Sequence, residues 1–288
     1  MTGGRILSKT LSVVILGLVQ GITEFLPVSS SGHLILAQRL LGVSFPGVTL
    51  EIVVHFGSLL AIVLVFWSEI VHLVGTFFRG VGILLRGRGP SFSGEQLIAW
   101  RFAWLIIFGC IPTSLMGIFL DPIFERLFAS LNVVGIMLVL TGTILWAIEH
   151  KRGIGGKDIK QMTPLDALFI GFAQGCAIMP GLSRSGTTIA GALYRGLNRD
   201  TAMRYSFLLA LPTIAGASLF KFKDIVTAVA GAGLTLTDYG LGMVVAAVTG
   251  VAAIKLLFRV LREGRLHFFG YYCWAVGFFV LGLGLFSG

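Results

Sequence analysis

One phrase occurs twice in this chain, once in each half, and both copies interrupt stretches otherwise fit for lipid. The first reads Gln20-Gly21, then Pro27-Val28-Ser29-Ser30-Ser31-Gly32-His33. The second reads Gln174-Gly175, then Pro180-Gly181-Leu182-Ser183-Arg184-Ser185-Gly186-Thr187-Thr188. A shift of 154 residues lays Gln20 on Gln174, Ser29 on Ser183, Ser31 on Ser185 and Gly32 on Gly186. A Pro/Gly/Ser break in an apolar segment exposes backbone groups that lipid cannot satisfy, so it must line a protein cavity. Two breaks at matching places in two halves point to a binding site at a repeat interface. The copies also differ: Glu24 and His33 belong only to the first and Arg184 only to the second. The halves therefore supply complementary charges to one composite, anion-handling site.

The lipid argument rests on composition. Apolar residues are 56% of the 288 and charged residues 12%, with a mean hydropathy of +0.92, which places the chain among polytopic membrane proteins. The net charge of +9 does not indicate a nucleic-acid partner, because the basic residues cluster in short segments between apolar runs. No small-residue cleavage site follows the first apolar run, which reads as retained structure rather than a signal peptide. Cys110, Cys176 and Cys273 stand alone in apolar surroundings and imply neither disulfide nor metal.

Full-length spans are expected at about 49–67, 101–120, 132–149, 205–222, 239–258 and 268–286. The regions 11–42 and 165–196, broken by the repeated phrase, read as re-entrant pairs of half-helices. The fold class is then an all-α polytopic membrane protein, one domain over 1–288, with internal repeats at about 11–149 and 165–286. Each half holds one re-entrant pair and about three transmembrane helices. Arg79, Arg86, Arg88, Arg101, Lys151, Arg152, Lys157, Lys160, Arg195, Arg199, Arg204, Arg259, Arg262 and Arg265 all fall on one side in that arrangement. The excess of positive charge makes that side cytoplasmic and puts the 121–131 connection outside. Arg5 and Lys9, with Lys221 and Lys223, run against the rule. The two halves come out in opposite orientation, an inverted-topology repeat.

Gln20 and Glu24 are four apart and share one helix face. A carboxylate at membrane depth costs roughly 2.5–3.5 kcal/mol, so it faces a partner or a watery cavity. The pair suits holding a divalent cation, or a catalytic proton, beside a phosphate; Glu24 is the ligand candidate and the Gln20 amide the poorer one. Ser29 and Ser31 are equally suited to capping a helix. Ser30, close in sequence to Glu24 and His33, is a nucleophile with candidate bases, and His33 is itself an alternative nucleophile or acid. His55 reads as a packed core residue and is left out of the site. In the second copy Ser183, Ser185, Gly186 and Thr188 open a half-helix whose N-terminus favours anions, and Arg184 adds a planar fork for phosphate oxygens. The loop lacks the lysine of a nucleotide phosphate-binding loop.

Gln20-x-x-x-Glu24 with Pro27 to His33, and Pro180 to Thr188, resemble the two signatures of the bacterial undecaprenyl-diphosphate phosphatases of the bacitracin-resistance (BacA/UppP) type. The likeness covers nearly the whole chain and includes Phe207-Leu208-Leu209-Ala210-Leu211-Pro212. Many relatives carry Glu where this chain has Gln20. The resemblance implies hydrolysis of undecaprenyl diphosphate to the carrier lipid of cell-wall synthesis. It also implies a divalent cation (Mg2+ or Ca2+), an inverted-repeat fold in the plasma (inner) membrane and an active site open to its outer, periplasmic side. The partners are then the polyprenyl diphosphate and membrane lipid, with no nucleic acid, and a homo-oligomer is compatible with the same reading. The type 2 phosphatidic-acid phosphatases share Ser-Gly-His and Ser-Arg fragments, but this chain lacks their Lys/Arg-Pro signature and their His-x-x-x-Asp. Within the chain's own chemistry the rival is a polyprenyl-phosphate flippase or anion transporter with the same phosphate site. A carrier needs Arg184 but not a serine nucleophile beside Glu24 and His33.

Overall fold

Helix dominates because nearly every backbone polar group in these apolar runs must be satisfied within its own segment. The computed structural model describes residues 8–43, 45, 49–89, 92–128, 130–151, 155–220 and 234–286. Among them run α1 (Lys9–Phe25), α2 (Ser30–Leu41), α3 (Thr49–Val65), α4 (Trp67–Leu85), α5 (Gly94–Phe128) and α6 (Leu131–His150). The second half holds α7 (Pro164–Cys176), α8 (Arg184–Tyr194), α9 (Arg199–Phe220), α10 (Leu236–Arg262) and α11 (His267–Phe286). Among the described residues there is no strand, only an isolated bridge between Lys157 and Leu197. Arg5, Arg152, Lys221 and Lys223 lie outside the described residues.

Among the described residues five helices are long and apolar enough to cross a membrane: α4, α6, α10, and the Gly94–Leu120 and His267–Gly284 parts of α5 and α11. The chain is a multi-pass membrane protein. The two broken regions fold as helical hairpins, α1–α2 and α7–α8, whose arms of 11 to 17 residues are short for a full crossing.

Two elements differ from expectation. The segment 79–101, expected as a loop, is one among its described residues only between Leu85 and Gly94; residues 79–85 are the end of α4 and 94–101 the start of α5. In α4, Glu69 in the first turn meets Arg204, while Phe77 and Gly80 lie against Trp104 and Trp100 near the start of α5. Both ends of α4 thus stay near the bundle end that carries Arg101, Arg199 and Arg204, so α4 lies along that end although its composition would let it cross. The span expected at 205–222 begins six residues earlier, at Arg199. Asn198 accepts the Thr201 N–H at 2.8 Å and caps the helix there, which draws Arg199, Asp200 and Arg204 into it.

The basic segments do gather at one end. Asp166 pairs with Arg195 at 2.7 Å and Lys157 at 3.5 Å, Glu149 with Arg199 at 2.6 Å, and Asp200 with Arg262 at 2.8 Å. A cleft of about 650 Å³ opens there between Lys160, Arg204 and Arg262, remote from the repeated phrases. Thr10 at the start of α1 bonds Asp238 at the start of α10, and the far end of α10 carries Arg262, so α1 starts at the opposite end from α7. The hairpins therefore enter from opposite ends.

Packing exchanges partners between the halves. A side chain at Gly17 or Gly21 of α1 would strike the α10 backbone at Gly242 or Ala246. One at Gly171 or Gly175 of α7 would strike Gly109 or Met116 of α5. Gly135 and Gly142 of α6 meet Gly277 and Gly270 of α11 in the same close manner. Between lipid-surrounded helices such small residues let backbones approach and gain dispersion contacts. Each hairpin is thereby pinned against a span of the opposite half.

Candidate functional site

The site is where the hairpin tips meet. Each returning arm starts with a serine cap: Ser29 Oγ accepts the Gly32 N–H at 3.3 Å, and Ser183 Oγ the Gly186 N–H at 3.1 Å. Ser29 does so with φ of 71°, a left-handed conformation rare outside glycine and a place of local strain. The tips are stitched together in both directions. Gly181 donates its N–H to Ser31 Oγ at 3.3 Å, and Ser185 donates its hydroxyl to the Leu26 carbonyl at 3.3 Å. Thr141 of α6 adds a third stitch: it accepts the Ser183 N–H at 3.1 Å and donates to the Gly181 carbonyl at 3.2 Å. The N-termini of α2 and α8, positive ends of two helix dipoles, converge here.

Glu24, at the end of α1 and 6% exposed, is the hub. Arg184 donates from Nη2 to Oε1 at 2.7 Å. Ser30 donates its hydroxyl to Oε2 at 2.6 Å, and the Gln20 amide donates to the same oxygen at 3.0 Å. Of the two nitrogens of the guanidinium fork, Nη1 is buried with no partner. A buried donor without an acceptor is costly unless a ligand supplies one, and phosphate oxygens are what this fork fits.

Gln20, Glu24, Ser30 and Arg184 are thus brought together as the repeat predicts. His33 is not. Its Nδ1 lies 2.8 Å from the Ser29 carbonyl, which only accepts, so Nδ1 carries a proton. In the neutral ring Nε2 then accepts the Tyr272 hydroxyl at 2.8 Å, with the two rings stacked 5.6 Å apart. His33 therefore has no bond to Ser30 or Glu24. Ser29, Ser31, Ser183, Ser185 and Gly186 hold the tips and cap the arms. Thr188 bonds the Arg184 carbonyl at 2.8 Å and Ser206 Oγ at 2.5 Å. The hydroxyls of these residues are engaged by the protein itself.

Sequence reasoning missed His55. It projects from α3 with Nε2 3.7 Å from Glu24 Oε2, and Nδ1 donates to the Glu51 carbonyl at 2.7 Å. The signal was present: Glu51, His55 and Ser58 recur at spacings of four and three along one helix face. Ser58 accepts from the Gln20 amide at 3.3 Å. Tyr272 was also missed, having no motif around it.

The second half holds an uncharged counterpart. Gln174 donates to Thr113 at 3.2 Å and Thr213 at 3.3 Å, as Gln20 donates to Ser58, but Ile178 stands where the first half has Glu24. In both copies the glutamine Oε1 is buried without a partner.

A cation finds little here from protein alone. Among the described residues no group of three or more His, Cys, Asp or Glu could hold a metal ion. Both Glu24 oxygens accept donors from the protein, while Gln20 Oε1 is buried without a partner. Mg2+ commonly combines few protein oxygens with substrate phosphates, so the residues fit a cation shared with a phosphorylated ligand.

The chain is similar to known proteins along most of its length. A family described as "Bacitracin resistance protein BacA" matches residues 13–279. The chain is similar to a protein named undecaprenyl-diphosphatase from Desulforapulum autotrophicum, 43% identical over 268 residues, 92% of this chain and 94% of that one. Likewise named are a protein of Carboxydothermus hydrogenoformans, 41% identical over 95% of this chain and 97% of its own, and one of Methanosphaera stadtmanae, 43% identical over 93% and 95%.

Proposed function

The chain belongs to the bacitracin resistance protein BacA family, and from that premise we propose how its mid-depth site hydrolyses undecaprenyl diphosphate to undecaprenyl phosphate and inorganic phosphate. That reaction recycles the carrier lipid for cell-wall synthesis and confers bacitracin resistance. The observation that carries the mechanism is the Arg184–Glu24–Ser30 constellation, with one guanidinium nitrogen of Arg184 left open.

Arg184 clamps the terminal phosphoryl group with Nη1 and gives up Nη2 from Glu24 as the phosphate arrives. Arg184 and the first N–H groups of α2 and α8 then neutralise the charge that develops on the phosphoryl oxygens, usually the largest catalytic term. Ser30 attacks, with its proton passing to Glu24 Oε2 at 2.6 Å. Its contact with Glu24 favours Ser30 over His33 as nucleophile, because both His33 ring nitrogens are already engaged. A divalent cation, Mg2+ or Ca2+, would be held by the diphosphate and Gln20 Oε1, and would supply charge neutralisation there. Hairpins entering from opposite ends support an inverted-topology repeat. With the paired basic end cytoplasmic, Glu24 is reached from the outer, periplasmic side.

Phosphate release from a polyprenyl diphosphate by detergent-solubilised protein tests the reading. Release at wild-type protein and its loss in Ser30→Ala is the expected outcome. Binding of the diphosphate without release would identify a carrier and overturn the hydrolytic site.

A further inference from the structure

Glu24 is a crowded place for a proton to stop. It accepts from Arg184, Gln20 and Ser30 in the resting site, and the oxygen facing Ser30 is the one that faces His55. His55 is held for acceptance. With Nδ1–H fixed on the Glu51 carbonyl at 2.7 Å, the neutral ring can present only a lone pair at Nε2, aimed at Glu24 Oε2 from 3.7 Å. Two lone pairs at that distance repel weakly; a proton between them turns the contact into a carboxylate–imidazolium bond after a closure of less than about 1 Å. Its side chain is 30% exposed against 5% for Glu24, so His55 is also the member of the pair with a way out for a proton.

We propose that His55 is the terminal proton acceptor of a Ser30–Glu24–His55 relay, a positioning residue that acts through Glu24; this rests on the phosphatase reading above. As Ser30 Oγ bonds to the terminal phosphorus, the bridging P–O bond breaks and its electron pair leaves with undecaprenyl phosphate. The Ser30 proton passes to Glu24 and on to His55 Nε2. When water attacks the phosphoserine, the water proton goes to Glu24 and the stored proton returns to Ser30 Oγ as the Oγ–P bond breaks. One proton in total is released to the medium. The charged group facing His55 is Glu24 on α1, whose other oxygen is held by Arg184, while Glu51 on its own helix is tied to Gln38. His33, the other histidine near Ser30, is occupied by Tyr272 and cannot serve Glu24.

The test is the steady-state kinetics of His55→Gln, which keeps a polar side chain but has no basic ring nitrogen to take the proton. We expect kcat to fall at least tenfold with KM within twofold, the range expected when acid–base catalysis is impaired. His55→Ala should recover part of the lost kcat in added imidazole. Glu24→Gln separates the two claims. Wild-type kcat in His55→Gln, with Glu24→Gln inactive, overturns the relay and leaves the phosphatase site standing. Wild-type activity in both variants overturns both.

Discussion

In the proposed mechanism Arg184 answers to two partners in turn, Glu24 at rest and phosphate during turnover, and its substitutions should separate those duties. Arg184→Ala removes the clamp and should lower kcat by at least about 10²–10³, the scale of losing one strong transition-state donor. It also strands a buried carboxylate, which costs roughly 3–5 kcal/mol when a buried pair loses one member. Arg184→Lys keeps the charge beside Glu24, so it should restore thermal stability but little activity, because an ammonium cannot replace the fork. Steady-state kinetics beside thermal unfolding in detergent would show this split. An alanine variant retaining more than a tenth of wild-type activity would contradict the clamp.

Gln20 and Glu24 should not behave alike, although they share a helix face. Gln20 orients Glu24 through its amide nitrogen at 3.0 Å, while the proposed mechanism gives the proton to Glu24. Glu24→Gln should therefore cost far more kcat than Gln20→Ala. Gln20→Glu should tighten the apparent cation affinity, since a carboxylate replaces the lone amide oxygen facing the ligand. Equal losses in Glu24→Gln and Gln20→Ala, measured against cation concentration, would show instead that the two form one ligand pair. At this scale the sequence disclosed Glu24, Ser30 and Arg184 because each sits inside a phrase that breaks an apolar run. It concealed His55, whose apolar neighbours look like any buried span and whose partner arrives from another helix.

Among the elements, glycine positions the hairpins. Gly21 lies against the Ala246 carbonyl and the Thr249 hydroxyl, and its neighbour Gln20 serves the site. Gly21→Val should force α1 away from α10, cost about 1–3 kcal/mol of stability and reduce turnover by misplacing Glu24. Gly75→Ala in α4, with open space at that position, should leave both nearly unchanged. Comparable melting shifts for the two variants would refute the close-packing argument. Hairpins and most spans were legible because helix length and breaks are written in hydropathy. The course of α4 was not, since Arg79 within it and Arg86 and Arg88 just beyond its end resemble a loop while Trp67, Val71 and Phe78 face outward along a helix. The start of α9 was hidden for a related reason: Arg199, Asp200 and Arg204 are paired to other elements, which removes their cost as helix residues.

For the whole molecule the two ends are chemically unlike, and they should be separately addressable. A cysteine replacing Lys160 at the paired basic end should react only with cytoplasmic reagent, and one replacing Leu236 at the start of α10 only with reagent outside. Both labelling from the same side would break the opposed entry of the hairpins. The stitched tips have a consequence for the cell as well. Two hairpins, each reaching only to mid-depth, leave a potential crack through the bilayer wherever their ends fail to meet. Ser31 to Gly181, Ser185 to Leu26 and Thr141 to both sides of the second tip close that crack with bonds that need no water. A catalyst that admits a highly charged headgroup to the membrane's centre must also be an electrical insulator, and the serines of the repeated phrase serve as its gasket.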